Sequence, residues 1–484
     1  MSKGVRVVKR REEGASAGRA VSPARRAAFE ILRRVEDEGA FAAPLLAGLA
    51  DELSAEDRAL CYELVLGVLR RQLWLDRLIE HLAGRESEKL DVPVRRALRL
   101  GLYQLRFLER IPASAAVNES VNMAHAARVR SAAPFINAVL RRATREPDYD
   151  PAEQIADPLE RIAVATSHPA WLVRRWAEAL GIEETECFAR ANNTSAPAAF
   201  RVNTLRGEGD TLIKNLRAAG VGVSPSRVAP GGWRVEGGAG AALRQLAGEG
   251  LIYSQDEASQ LVAHVLGARA GERVLDVCAA PGSKTTHVAA LAEDRALIVA
   301  GDLHEHRLRV VKESCERLGV QGARAVAFDA EAGLPFADET FDRVLVDAPC
   351  TGTGTLRHNP EIRWRLTPAS IAELASVQSK ILREASRVVR RGGRIVYSTC
   401  SVEREENEQV VAAFLQAHKD FKQVEAAPAP NSLLLRTGAA RTWPHRDDVD
   451  GFFVAALEKI GGRRQEQEAG ADGRRQRRNI GFEI

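Results

Sequence analysis

Two cysteines, Cys350 and Cys400, each close a short apolar run that reads as a buried β-strand. The first run is Phe341-Asp342-Arg343-Val344-Leu345-Val346-Asp347-Ala348-Pro349-Cys350, the second Gly393-Arg394-Ile395-Val396-Tyr397-Ser398-Thr399-Cys400. Both lie downstream of a turn of small residues, Asp276-Val277-Cys278-Ala279-Ala280-Pro281-Gly282-Ser283-Lys284-Thr285. In open α/β sheets, ligands bind outside the carboxyl ends of the strands. Two thiols there point to covalent chemistry beside a nucleotide-like ligand. A free thiol has a pKa of ~8.5, so little of it is thiolate at neutral pH, and a nucleophilic cysteine needs a cationic neighbour. Lys284, or the positive charge of a bound sulfonium ligand, could supply it.

Three aspartates mark the ends of successive strands. Asp302 stands 20 residues after Gly282, where a doubly wound fold places a carboxylate on ribose hydroxyls. Asp329 follows the next strand, and Asp347 ends the one after. Singly, such residues are caps or turn formers. Three in consecutive strands beside the small-residue turn favour a ligand. The turn lacks G-x-G-x-x-G, which argues against a dinucleotide, and lacks the P-loop pattern. S-adenosylmethionine fits a turn that meets its ligand through backbone N–H groups without neutralising phosphate.

The elements that must position these residues are alternating strands and helices from about residue 255 onward. Strands are expected at 273–277, 297–302, 323–328, 343–347, 394–398 and 452–457, with helices between, including 306–318 and 370–389. The pattern predicts an α/β fold with a Rossmann-like, doubly wound sheet over residues 251–460. Residues 22–147 read as all helix, with Phe29, Leu32 and Val35 on one face and Leu98, Leu102 and Leu105 on another. Residues 152–250 read as a linker and a small α+β unit, with a helix at 171–180 and a βαβ-type pattern from residue 200. Residues 1–21 and the Arg-rich 461–484 are expected to be disordered.

The chain has 484 residues and a net charge of +4. Residues 1–150 hold 26 Lys/Arg against 21 Asp/Glu, a modest surplus that permits nucleic-acid binding. The six cysteines are scattered, without a Cys-x-x-Cys pair, so neither a disulfide framework nor a zinc site is expected. Cys61, Cys187 and Cys315 read as core fillers, and His168 and His445 as structural or hydrogen-bonding residues rather than metal ligands. No apolar run suits a signal peptide or a membrane helix, so a cytoplasmic protein is expected.

With these motifs the chain resembles the RNA cytosine-5 methyltransferase family, and within it the branch acting on small-subunit ribosomal RNA. The resemblance rests on the small-residue turn, on Asp347-Ala348-Pro349-Cys350-Thr351-Gly352 and on Ser398-Thr399-Cys400-Ser401. Arg201-Val202-Asn203-Thr204, Gln255-Asp256-Glu257-Ala258-Ser259 and Asp450-Gly451-Phe452-Phe453 support it. The helical part is similar to a NusB-like RNA-binding domain, through Ala116-Val117-Asn118-Glu119 and Ile136-Asn137-Ala138-Val139-Leu140-Arg141-Arg142.

The resemblance implies an S-adenosylmethionine-dependent enzyme that methylates carbon 5 of a cytosine in 16S ribosomal RNA, free or in an assembly intermediate. It implies Cys400 as nucleophile and Cys350 as the residue that assists release. Asp347 would meet the cytosine edge near the methionine part of the cofactor, with Lys284 close to both ligands. Cys278, Ala279, Ala280, Pro281, Gly282, Ser283 and Lys284 would line the cofactor, Asp302 would hold its ribose and Asp329 would contact the adenine end. A monomer with no metal and no membrane contact is expected. The competing readings are a transfer RNA cytosine-5 methyltransferase and a non-catalytic RNA-binding or antitermination factor. The family usually has a second glycine where this chain has Ser283; if that position needs positive φ, serine would cost ~1–2 kcal/mol and weaken cofactor binding.

Overall fold

The computed structural model describes residues 21–49, 52–237 and 240–460. The disorder expected for residues 1–20 and 461–484 falls outside the described residues. Val21, read as part of the same tail, is instead buried against the first helices.

Seven α-helices fill residues 23–145: Pro23–Asp37, Ala42–Ala47, Ala55–Arg70, Gln72–Ala83, Val92–Phe107, Ala113–Ala126 and Ala133–Arg145. Proline opens the first, fifth and seventh, where its missing N–H costs nothing. Leu32, Leu64, Leu98 and Ile136 are fully buried at the centre. Two cations share this interior: Arg96 pairs with Glu36 and Asp37, and Arg99 with Glu36 and Asp76. Three helices follow, Pro158–Thr166, Ala170–Leu180 and Ile182–Ala191, of which the sequence reading anticipated only the second. They pack around Trp176 and Phe188 against Trp443. Cys187 is exposed, not a core filler, because the last of these helices buries Thr185, Phe188 and Ala189 on its other face.

Next comes a four-stranded sheet: β1 (Ala199–Val202), β2 (Val223–Pro225), β3 (Gly232–Val235) and β4 (Ile252–Ser254), in the order β2-β3-β1-β4. Every neighbouring pair is antiparallel. β1 and β2 therefore run the same way with β3 between them, a split βαβ arrangement.

The large sheet holds β5 (Arg273–Asp276), β6 (Leu297–Asp302), β7 (Ala323–Ala327), β8 (Phe341–Asp347), β9 (Val389–Thr399), β10 (Phe421–Val424), β11 (Ala440–Arg441) and β12 (Phe453–Lys459). The order is β10-β12-β9-β8-β5-β6-β7, with β11 paired to β12. β7, β6, β5, β8 and β9 are parallel neighbours; β12 and β10 add an antiparallel edge. Alternate residues serve opposite faces. Val274 and Leu345 meet Leu261, Val288 and Val311, while Leu275, Val344 and Val346 meet Ile381, Leu382 and Phe414. From β5 the chain moves to β6 and β7 on one side, then crosses to β8 and β9 on the other. The switch point lies between β5 and β8, where the fold leaves a crevice at the strand ends. β10 and β11 were not foreseen, being four and two residues long. Among the described residues no helix is long and apolar enough to cross a membrane.

Candidate active site

A cleft of about 500 Å³ opens at the carboxyl ends of β5, β6, β8 and β9. Cys278, Ala280, Asp302, Asp329, Asp347, Cys350 and Cys400 all lie on its wall. Ala279, Pro281, Gly282, Ser283 and Lys284 form the turn behind it and the start of the helix Ser283–Leu291; they are not on the wall itself, and Pro281 faces solvent. Gly282 takes the left-handed conformation, φ +98°, and a Cβ there would press on the Val311 backbone at 3.2 Å. Ser283 already belongs to the helix and is absent from the residues with positive φ. The strain considered for serine at that position therefore does not arise.

Parallel register sets Asp347 of β8 beside Ser398 of β9. The Ser398 hydroxyl donates to Asp347 Oδ1 at 2.7 Å, and Lys284 Nζ donates to Oδ2 at 2.7 Å. Burial works to lower the Lys284 pKa, but the charge and hydrogen bond of Asp347 override it and hold the ammonium above its ordinary range. The Phe452 ring lies 5.4 Å from Lys284 Nζ. Beneath them, Asp276 accepts from Thr285 Oγ1 at 2.7 Å, and burial pushes its carboxyl up to about 7.

The two cysteines, 50 residues apart in the chain, meet with their sulfurs 3.3 Å apart. That is a thiol–thiol contact, well beyond the ~2.05 Å of a disulfide. The Cys350 thiol is held well above its ordinary pKa, by its hydrogen bond to Cys400 and then by burial. Cys278 is pushed up as well, by burial and by the neighbouring Asp276, Asp347 and Asp302. Arg307 is the cation that reaches Cys278 and opposes this rise, while the charge of Lys284 lies within reach of Cys400.

The other end of the cleft suits a nucleoside. Asp302, 4% exposed, ends β6 with Oδ1 accepting from His304 N at 3.1 Å and Oδ2 facing Arg307 at 3.4 Å. Leu303, Phe328 and Ile381 supply apolar walls, and Asp329 stands beside Phe328. Sequence reasoning missed these apolar residues because nothing local distinguishes a cleft wall from a core position. It also missed Glu406 and Gln378, buried polar groups that join the cysteine loops. The run Glu405-Glu406-Asn407, six to eight residues beyond the end of β9, was the available signal. His168 and His445 are hydrogen-bonded, to Thr166 Oγ1 at 3.0 Å and Glu184 Oε1 at 2.7 Å.

Residues 263–458 match the model of the family described as 16S rRNA methyltransferase RsmB/F. The NusB family model matches residues 22–145, and that of the RsmF/B-like ferredoxin-like domain residues 168–241. The probable ribosomal RNA small subunit methyltransferase B of Bacillus subtilis is 37% identical over 445 residues, 90% of this chain and 98% of that protein. The chain belongs to the RsmB/F family of 16S rRNA methyltransferases. The corresponding protein of Synechocystis is also 37% identical, over 90% of this chain and 99% of its own length. Among solved structures, PH0851 aligns with a TM-score of 0.78 at 31% identity, covering 90% of this chain and 98% of its own. The methyl donor of this family is S-adenosylmethionine. The cleft fits it: a glycine turn with no room for Cβ, a carboxylate at the end of β6, apolar walls beyond, and Asp347 at the end of β8.

Proposed function

We propose that this protein methylates carbon 5 of a cytosine in 16S ribosomal RNA through a covalent adduct on Cys400, with Cys350 assisting release. The observation that carries this reading is the 3.3 Å contact between two thiols at the end of the cleft beside Asp347. Carbon 5 of cytosine is a weak nucleophile. A thiolate that adds to carbon 6 makes it enamine-like, and a base must later take the carbon-5 proton so that the thiolate can leave. One sulfur attacks and a second group must serve release, which is a reason for a protein to keep two thiols in contact. S-adenosylmethionine, when bound, supplies the electrophilic methyl group.

Each residue of the site then has a task. Lys284 sets its ammonium within electrostatic reach of Cys400, the attacking sulfur of this reading. Asp347, oriented by Lys284 and Ser398, meets the cytosine edge. Asp302 holds the ribose, Asp329 stands at the adenine end, and the backbone of residues 278–284 shapes the floor. The target base must be unstacked to reach Cys400, so the substrate site is a loop or an opened helix.

The test is adduct trapping. With S-adenosylmethionine and small-subunit RNA, Cys350→Ala should accumulate an RNA–protein adduct that survives denaturing electrophoresis, while Cys400→Ala should form none. An adduct in Cys400→Ala that is absent from Cys350→Ala would reverse the assignment. Bisulfite mapping of ribosomal and transfer RNA from cells with and without the protein checks the substrate. A mark lost only from transfer RNA would refute the ribosomal reading.

A further inference from the structure

One buried carboxylate ties the two cysteine loops together, and nothing in the chemistry above uses it. Glu406 lies six residues beyond Cys400, in the turn before the helix Glu408–Ala417, and its side chain is fully buried. Its Oε1 accepts from Thr351 N at 2.8 Å and from Gln378 Nε2 at 2.9 Å. Its Oε2 accepts from the hydroxyls of Thr351 and Ser401. Thr351 follows Cys350 and Ser401 follows Cys400, so a single carboxylate grips the residue after each sulfur. Gln378 Nε2 also donates to Pro349 O at 2.9 Å, which holds Cys350 from its other side. The backbone of Glu406 is fixed in turn, its carbonyl accepting from Tyr397 OH at 2.5 Å. Four converging donors suit an ionised carboxylate, which is acceptor-only.

We infer that Glu406 is a positioning residue that clamps the two cysteine loops at their sulfur–sulfur contact, with its negative charge set against Cys350. This deepens the reading given above. The charge of Glu406 adds to the hydrogen bond with Cys400 and to burial, which keep Cys350 a thiol while Cys400 adds to the cytosine. Once Cys400 is held in the adduct, Cys350 gives its proton to solvent and the resulting thiolate accepts the carbon-5 proton.

Cys400 and burial act on Cys350 ahead of Glu406, and the neighbouring carboxylates Asp347 and Asp450 are paired or pushed toward the neutral form. Cys350 faces Cys400 and Glu406. Tyr397 is held neutral by burial and by the nearby Cys350, Glu406 and Asp347. Asp347 is paired to Lys284. Asp450 senses Cys400, but burial and then Asp256 push its carboxyl well above the usual range, toward the neutral form. On the turn that carries Glu406, Glu403 and Glu405 are both paired to Arg175, while Arg404 follows Glu403 in the chain. Burial outweighs the donors and raises the Glu406 carboxyl above its ordinary range, although Ser401, Thr351 and Gln378 oppose it.

The test uses the full chain and the pair Glu406→Gln and Glu406→Ala. Glutamine keeps the bridge, since its oxygen accepts from the two N–H donors and its amide donates to the two hydroxyls, which rotate to accept. It removes only the charge. Iodoacetamide labelling of Cys350 against pH, read by peptide mass spectrometry without RNA, should shift its midpoint down by about one unit in Glu406→Gln. Thermal unfolding should stay near that of the parent protein. Methylation of small-subunit RNA should lose about tenfold in kcat with little change in KM. Glu406→Ala, which loses the clamp as well, should fall further. A Glu406→Gln labelling curve that superimposes on the parent's overturns the inference, as does unaltered kcat in that variant. The labelling is read without RNA, so it stands or falls independently of whether cytosine is the target.

Discussion

A buried acid beneath the cofactor turn should make this protein's stability depend on pH in a definite direction. Asp276 is 2% exposed, and Thr285 satisfies one of its oxygens. Its pKa is raised from 3.8 to about 7, so folding favours the protonated form. Its contribution is therefore fully present below the unfolded pKa and is lost as pH rises through about 7. Asp276→Asn has no such titration. Between pH 4 and 7.5 the parent protein should lose on the order of 3 kcal/mol relative to Asp276→Asn, measured by denaturant unfolding at each pH. Parallel stability curves for the two proteins would show that this carboxyl does not titrate in that window. At this scale the sequence was informative where chemistry is scarce. Thiols at strand ends and aspartates after apolar runs stand out, and Cys350, Cys400, Asp302, Asp329 and Asp347 share one cleft. Glu406 did not stand out, since glutamates are common and two of its partners, Thr351 and Gln378, come from distant stretches of the chain.

At the scale of elements, the cysteines are placed by loops that interlock rather than by the strands alone. Gly354 N donates to Cys400 O, and Gly451 N donates to Gly354 O, both at 2.9 Å. Three connections, those after β8, after β9 and before β12, meet at this one glycine. A Cβ on Gly354 would stand 2.0 Å from Gly451 O and 2.8 Å from Cys400 O, both backbone atoms that cannot swing aside. Gly354→Ala should cost about 1–3 kcal/mol and, because small misplacements at a reacting centre are expensive, about 100-fold in methylation rate. Activity near the parent's, with both sulfurs labelled as before, would show that these loops yield more easily than their packing suggests. The order of strands and helices was legible because apolar runs alternate with longer amphipathic stretches, which is why 297–302 and 343–347 were placed within two residues. The interlocking was not legible, because close approach of glycine backbones leaves no periodic trace in the chain.

At the scale of the whole molecule, the helical N-terminal part is fastened to the segment that continues from Cys350. Arg70 Nη2 donates to Arg357 O at 2.7 Å, Ala42 N to Glu361 Oε1 at 2.8 Å, and Arg365 Nη2 to Ala40 O at 2.5 Å. Arg363 holds the centre. Fully buried, it donates to Ser167 O at 3.1 Å, Asn193 Oδ1 at 2.9 Å and Asn192 O at 3.4 Å. Burial lowers its pKa to about 9, a sign of how little solvent reaches it. This fastening sits only a few residues past Gly354, so the placement of Cys350 is coupled mechanically to the helices at 158–191 and to the bundle at 23–145. Arg363→Met keeps much of the volume but leaves those acceptors without a donor, which should cost about 3–5 kcal/mol. In calorimetry the parent should unfold with the helical part and the large sheet together. The variant should separate a lower-temperature transition for the helical part from the rest, and its methylation rate should fall although no residue of the cleft has changed. A single transition at the parent's temperature with full activity would mean that the segment from 357 to 365 is held in place by its remaining contacts alone.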